Sequence, residues 1–206
     1  MGRSVLAAGL ATVPREMCRR DALDVAPELL NKLLVFGERV GRIIEVEAYR
    51  GPDDPASHAY RGPTRSNATM WGPPGHLYVY FTYGMHWCAN VVCGEEGVAH
   101  AVLIRALAPV AGIEAMRAAR LRASRLRPLR NRDLMSGPAK ACAALGICGE
   151  HDGADLESGD RGIRLVTDGM PPPARLGNGP RIGVSVATDS PWRWWVQNDP
   201  NLSRPG

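Results

Sequence analysis

Leu29, Leu30, Leu33 and Leu34 recur at helical spacing, and with Asp24 and Pro27 upstream as a start signal they predict a helix. The period then changes. From Arg42 to Tyr49 polar and apolar positions alternate, which predicts a strand. His76 to Tyr83 alternates aromatic with β-branched residues, Gly84 offers a turn, and Trp87 to Cys93 is strand-like again. Together these predict a β-hairpin with Tyr83-Gly84-Met85 near its tip. Val102 to Leu107 is a further apolar strand, carrying a single Arg105. Gly112 to Arg125 predicts a helix, and Pro138 to Leu145 a second, shorter one closed by Gly146. Arg181 to Ala187 and Trp192 to Gln197 read as the last two strands. The stretches Gly51 to Gly75 and Asp152 to Pro180 lack either period and are rich in loop-forming residues; a loop of the first one's length inside a small domain is usually functional or disordered.

Helices and strands therefore mix without a regular βαβ repeat, and the class is α+β. A chain of 206 residues has room for one domain with a real core. We place that domain at residues 21–206 and treat residues 1–20 as an N-terminal extension. Hydrophobic content of 45% and charged content of 22% are ordinary for a globular protein. No run approaches the about 18 apolar residues of a membrane-spanning helix, so no membrane partner is expected. Val5 to Val13 superficially resembles a signal peptide, but the five scattered cysteines, with no CxxC pair, fit a reducing cytoplasm better than a disulfide framework or zinc cage.

Charge adds one clue. The net charge is +4, and Lys32 and Lys140 are the only lysines among 25 basic residues. Arginine suits bidentate phosphate contact, and Arg117, Arg120, Arg122, Arg125, Arg127, Arg130 and Arg132 cluster on and after the helix predicted from Gly112. A polyanion partner fits this pattern, as does a compositional habit of the source genome.

Two places concentrate chemistry. In the strand Arg42 to Tyr49, the period of two puts Glu45, Glu47 and Tyr49 on one face and Ile44, Val46 and Ala48 on the other. From the pattern alone a half-exposed strand with a wet polar face is the simpler reading; the functional one is a carboxylate at the floor of an aromatic pocket, able to orient water and stabilise an oxocarbenium-like sugar cation. The hairpin supplies the aromatics: Tyr78 and Tyr80 share a face, and Tyr83 approaches the tip. Such side chains stack on bases, and a wedge at a hairpin tip can hold a duplex open.

Five segments in register then resemble the 3-methyladenine (alkyladenine) DNA glycosylase family: Glu45-Val-Glu-Ala-Tyr-Arg-Gly-Pro-Asp-Asp-Pro-Ala-Ser-His58, Gly75-His-Leu-Tyr-Val-Tyr-Phe-Thr-Tyr-Gly-Met85, Asn90-Val-Val92, Val102-Leu-Ile-Arg-Ala-Leu107 and Leu134-Met-Ser-Gly-Pro-Ala-Lys140. The similarity runs from about Asp21 to Val196. It implies a single mixed domain on a curved antiparallel sheet with a protruding hairpin and peripheral helices. It implies Glu47 as general base for the attacking water, with Arg105 placing that water and the target phosphate. Tyr49, His58 and Tyr80 would sandwich the extruded base, and the main chain at His58 would read its edge. Asn90 would screen against the 2-amino group of guanine, and Tyr83 would fill the gap left in the stack. A water-holding backbone carbonyl is expected within Asp155 to Leu165. Glu45 reads as structural.

The resemblance thus implies a monofunctional hydrolase of base-excision repair. It would flip alkylated or deaminated purines from duplex DNA, 3-methyladenine first, with hypoxanthine and ethenoadenine as further candidates, and would act as a monomer without metal or cofactor. A bifunctional lyase needs an amine near the sugar, and neither lysine falls in the pocket motifs. Such an enzyme is expected in the cytoplasm of a bacterial-type cell, on the nucleoid through DNA binding. The alternative is a non-catalytic damaged-DNA-binding protein of the same fold, whose sign would be an altered Glu47. A metal-dependent hydrolase using Glu45, Glu47, His58 and His76 fails on spacing, since no HxxxH or comparable pair occurs.

Overall fold

A computed structural model describes residues 9–122 and 129–204. In chain order these form β1 (Ala11–Thr12), α1 (Arg15–Cys18), α2 (Ala22–Leu29), β2 (Leu33–Phe36), β3 (Arg39–Tyr49), β4 (His76–Thr82), β5 (His86–Cys93), β6 (His100–Ala111), α3 (Ile113–Arg122), α4 (Pro138–Leu145), β7 (Ala154–Asp155), β8 (Ile163–Thr167), β9 (Leu176–Gly179) and β10 (Arg193–Val196). The architecture is α+β. One antiparallel sheet, ordered β1-β8-β2-β3-β6-β5-β4-β7, curls into a half-barrel, and β10 joins it by pairing with β3 on one side and β9 on the other.

The long strand β3 organises the molecule because it changes neighbour along its length. Arg39 to Arg42 pair with β2, whereas Glu45 to Glu47 pair with β10. On its other side β3 pairs with β6 with three register shifts, one near its start at Val40/Gly41 and two that offset each other: Ile44 is the extra residue on β3, between Ile43↔Leu107 and Glu45↔Ala106, and Arg105 is the extra residue on β6, between Glu45↔Ala106 and Val46↔Ile104. A bulge re-aims side chains, and this pair brings Arg105 to the two glutamates. Val46 and Ala48 join the main core with Val25, Ala26 and Leu29 of α2, while the polar face of β3 is walled in by the segments around Ile182 and Ser203. The expected half-exposed face is therefore corrected: Glu45 and Glu47 are fully buried.

Other expectations also shift. Asp21, not Asp24, caps α2 by accepting from Leu23 N–H at 2.9 Å, and Pro27 sits inside the helix. The helix stops at Leu29 because Leu30 is extended and Asn31 is left-handed (φ 68°), so Leu33 and Leu34 lie on β2. Asp152 to Pro180, read as loop, contains β7, β8 and β9, while Arg181 to Ala187, read as strand, has no ladder. Its backbone is committed elsewhere, as Ile182 N–H donates to Glu47. Within the first twenty residues, β1 pairs with β8, and Val13 and Cys18 are buried. Helix α3 is described to Arg122, so Arg125 and Arg127 of the basic cluster lie outside the described residues. Arg117 and Arg120 bond to backbone carbonyls, and Arg130 pairs with Asp133.

Candidate active site

Glu47 lies at the floor of a cavity of about 500 Å³. Its Oε1 accepts from Ile182 N–H at 2.8 Å and sits 3.2 Å from Arg105 Nη1; its Oε2 accepts from Tyr49 OH at 3.0 Å. Burial raises its pKa above the ordinary glutamate value, against the opposing pull of Arg105 and the two donors. Burial, and then the Glu47 charge, raise the Tyr49 pKa too, so Tyr49 keeps its proton and stays a donor.

Glu45, one step back on the same face, holds the floor together. Its Oε2 accepts from Ser203 N–H at 2.7 Å and its Oε1 from Ser203 Oγ at 2.8 Å; Arg105 Nε and Arg193 Nε approach Oε1 to 3.1 and 3.0 Å. Arg105 Nε also donates to Ser203 Oγ at 3.1 Å, and its Nη1 reaches Ile182 C=O at 3.5 Å. Behind Tyr49 lies a second buried pair. Arg181 makes a two-pronged contact with Asp54, donates to Ala48 C=O at 3.0 Å, and stacks over the rings of Tyr49 and Trp192 at 4.7 and 4.9 Å.

The opposite wall comes from the hairpin and the loop after β3. Tyr78 and Tyr80 stack with centroids 5.5 Å apart, and His58 stands edge-on to Tyr80 at 4.4 Å with Nδ1 3.0 Å from Tyr78 OH. Burial lowers the His58 pKa, which favours neutral imidazole. Asn67 fixes this loop by donating to His58 C=O at 2.9 Å and Gly62 C=O at 3.1 Å. Asn90 Nδ2 donates to Tyr78 C=O at 3.2 Å. At the tip, Tyr83 and Gly84 both have positive φ (51° and 66°), the pattern of the mirror-image turn that suits strand twist. Tyr83 is 83% exposed, flanked by exposed Phe81 and Met85.

Glu47, Tyr49, His58, Tyr80, Tyr83, Asn90 and Arg105 all line this one cavity. The sequence reading missed Ile182, Arg181 and Ser203, which lie far along the chain, and Asp54, whose part depends on its contact with Arg181. Asp155 to Leu165, where a water-holding carbonyl was expected, runs from β7 into β8, which pairs with β1 and β2, and does not line the cavity; the carbonyl beside Arg105 is that of Ile182.

An aromatic cleft over a buried carboxylate and arginine, on an antiparallel α+β fold, has the make-up of a hydrolase site that takes a flat, base-like group. Residues 16–200 match the family model described as Methylpurine-DNA glycosylase (MPG). A Burkholderia lata protein is 56% identical over 196 residues, covering 95% of this chain and 92% of its own length. A Burkholderia cenocepacia protein is 56% identical over 192 residues (93% and 90%), and one from Streptomyces avermitilis 48% identical over 195 residues (92% and 89%). All three bear the name "Putative 3-methyladenine DNA glycosylase". The chain belongs to the methylpurine-DNA glycosylase family and is a DNA glycosylase, a hydrolase acting on N-glycosyl bonds. Among the described residues, no helix is long and apolar enough to cross a membrane.

Proposed function

We propose that the protein, acting as a monomer, extrudes alkylated purines from duplex DNA and hydrolyses their N-glycosidic bond with a water activated by Glu47. The observation that carries this reading is the buried Glu47 carboxylate at the floor of an aromatic cleft, with Arg105 Nη1 3.2 Å away and Ile182 C=O beside that guanidinium. Alkylation makes a purine cationic, so it stacks on the electron-rich faces of Tyr49 and Tyr80 and is already a good leaving group. Water held by Glu47, Arg105 and Ile182 C=O attacks C1′. Its proton passes to Glu47 while the C1′–N electron pair leaves with the base, cancelling that base's charge. Asn90 limits bases bearing a 2-amino group, His58 presents the base edge, and Tyr83 occupies the space left in the duplex. Extrusion costs a few kcal/mol and is cheapest for damaged bases, which favours lesions over normal purines.

The test is single-turnover release of free base from methylated DNA, and from duplexes carrying one hypoxanthine or one ethenoadenine, with wild type and Glu47→Gln in EDTA. Loss of about 10²–10⁴ in rate in the variant, with lesion binding retained, is the expected result. Wild-type rates in Glu47→Gln would remove Glu47 from the mechanism. Tight lesion binding by wild type without release of any base would favour a protein that only marks damage.

A further inference from the structure

We propose that Ser203 is a positioning residue for base excision: its hydroxyl ties Glu45 to Arg105 and so fixes the guanidinium against Glu47. This rests on the reading of Glu47 as the base and adds a residue more than 150 positions distant in the chain. The Ser203 hydroxyl has one proton. Arg105 Nε can only donate, so Oγ accepts from it at 3.1 Å and must direct its own proton to Glu45 Oε1 at 2.8 Å. Ser203 N–H binds the other oxygen of the same carboxylate at 2.7 Å. Glu45, which is fully buried, thus receives a donor from Ser203 on each oxygen, and Arg105 Nε is shared between Glu45 Oε1 and Ser203 Oγ. With Nε pinned there, the same guanidinium places Nη1 between Glu47 Oε1 and Ile182 C=O.

Removing the hydroxyl leaves Glu45 short of a donor. Arg105 is then drawn toward Glu45 and away from Glu47. Glu47 loses its counter-charge, holds its proton more tightly, and ionises at higher pH. The other groups facing this carboxylate cluster are Tyr49 on β3, Arg193 on β10, Arg181 behind Tyr49, and His58, Tyr78, Tyr80, Cys88 and Arg204 around the cavity. None of them contacts the Ser203 hydroxyl, so they stay in place in the comparison.

The experiment measures single-turnover base release from methylated duplex DNA across pH, and duplex affinity, for Ser203→Ala, Ser203→Thr and Ser203→Cys beside wild type and Glu47→Gln. Loss of one hydrogen bond to charged groups predicts a rate about ten-fold lower in Ser203→Ala. Affinity should stay within about two-fold, and the acid limb of the rate profile should move to higher pH. Ser203→Thr keeps the hydroxyl and should restore rate and profile. Should Ser203→Ala fail to fold, Ser203→Cys, with its weak donor, carries the same slower, shifted profile. An unshifted profile in a folded Ala or Cys variant, or a Thr variant as slow as Ala, overturns the proposal. If Glu47→Gln retains full activity the base assignment itself fails, an outcome the Ser203 variants cannot mimic.

Discussion

Replacing Asp54 by Asn would remove one charge from a pair whose two side chains are fully enclosed. Arg181 would keep its contacts with Ala48 C=O and the faces of Tyr49 and Trp192, but its charge would have no partner in contact. The carboxylate also accepts from Arg50 N–H at 3.3 Å and Ala56 N–H at 3.0 Å, so the loop after β3 loosens with it. Breaking a buried pair from one side costs about 3–5 kcal/mol, which for a chain of this length is about 6–20 °C in Tm. Arg181→Met should cost a similar amount by stranding the carboxylate. The double variant buries neither charge and should recover about 2 kcal/mol relative to the sum of the singles. Urea unfolding of the four proteins measures this directly. Single variants costing under about 1 kcal/mol, or costs that simply add, would refute the reasoning. Base release should slow in both singles, because Arg181 precedes the residue whose N–H holds Glu47.

Three further outcomes follow from the same geometry. Burial raises the folded pKa of Glu47, so its contribution to stability, full below the unfolded pKa, is lost as pH rises through the folded value. Gln does not titrate, so the Tm of Glu47→Gln should gain on wild type as pH rises above the ordinary glutamate value of about 4.3, and a gap that narrows instead counts against the burial argument. The single-turnover rate should need ionised Glu47 and so fall on the acid side, with a midpoint above the ordinary glutamate value of about 4.3; a midpoint at or below it would mean that Arg105 and the donors outweigh burial. Tyr83→Gly should weaken lesion-duplex affinity about ten-fold through lost stacking, yet leave Tm unchanged or slightly higher because φ of 51° suits Gly; unchanged affinity would take Tyr83 out of the DNA interface.

The sequence exposes the parts of this site that repeat with a local period. Glu45, Glu47 and Tyr49 share a face by simple alternation, and the hairpin is legible because Gly84 sits between two alternating runs. What stayed hidden depends on tertiary contact. Nothing in Val102 to Leu107 marks Arg105 as a bulged residue, since the bulge exists only in its pairing with β3. Arg181 to Ala187 has the composition of a strand, but its backbone forms the cavity wall instead of a ladder. Leu33 and Leu34 fit a helical stripe until the left-handed Asn31 turns the chain. There the ladder with β8, more than 120 residues on, takes Leu33 and Leu34, and in each case a local preference gave way to a partner far along the sequence.

The charges around the cavity also favour Glu47 over Glu45 as the proposed base. Among the described residues the buried Asp, Glu and Arg side chains are Glu45, Glu47 and Asp54 against Arg105, Arg181 and Arg193, a neutral set in total. Compensation within it is uneven. Asp54 has Arg181 in a two-pronged pair, and Glu45 has Arg105 Nε, Arg193 Nε and both donors of Ser203. Glu47 has a share of one guanidinium, one backbone N–H and one phenol. Glu45 thus has more donors and cations around it than Glu47 has. A carboxylate that is buried and only partly matched, as Glu47 is, takes up a proton more readily than one in water, which suits the base proposed here. Glu45 and Glu47 are two residues apart on the same strand face, so neither local sequence nor burial separates their roles. The arrangement of arginines and of Ser203 does.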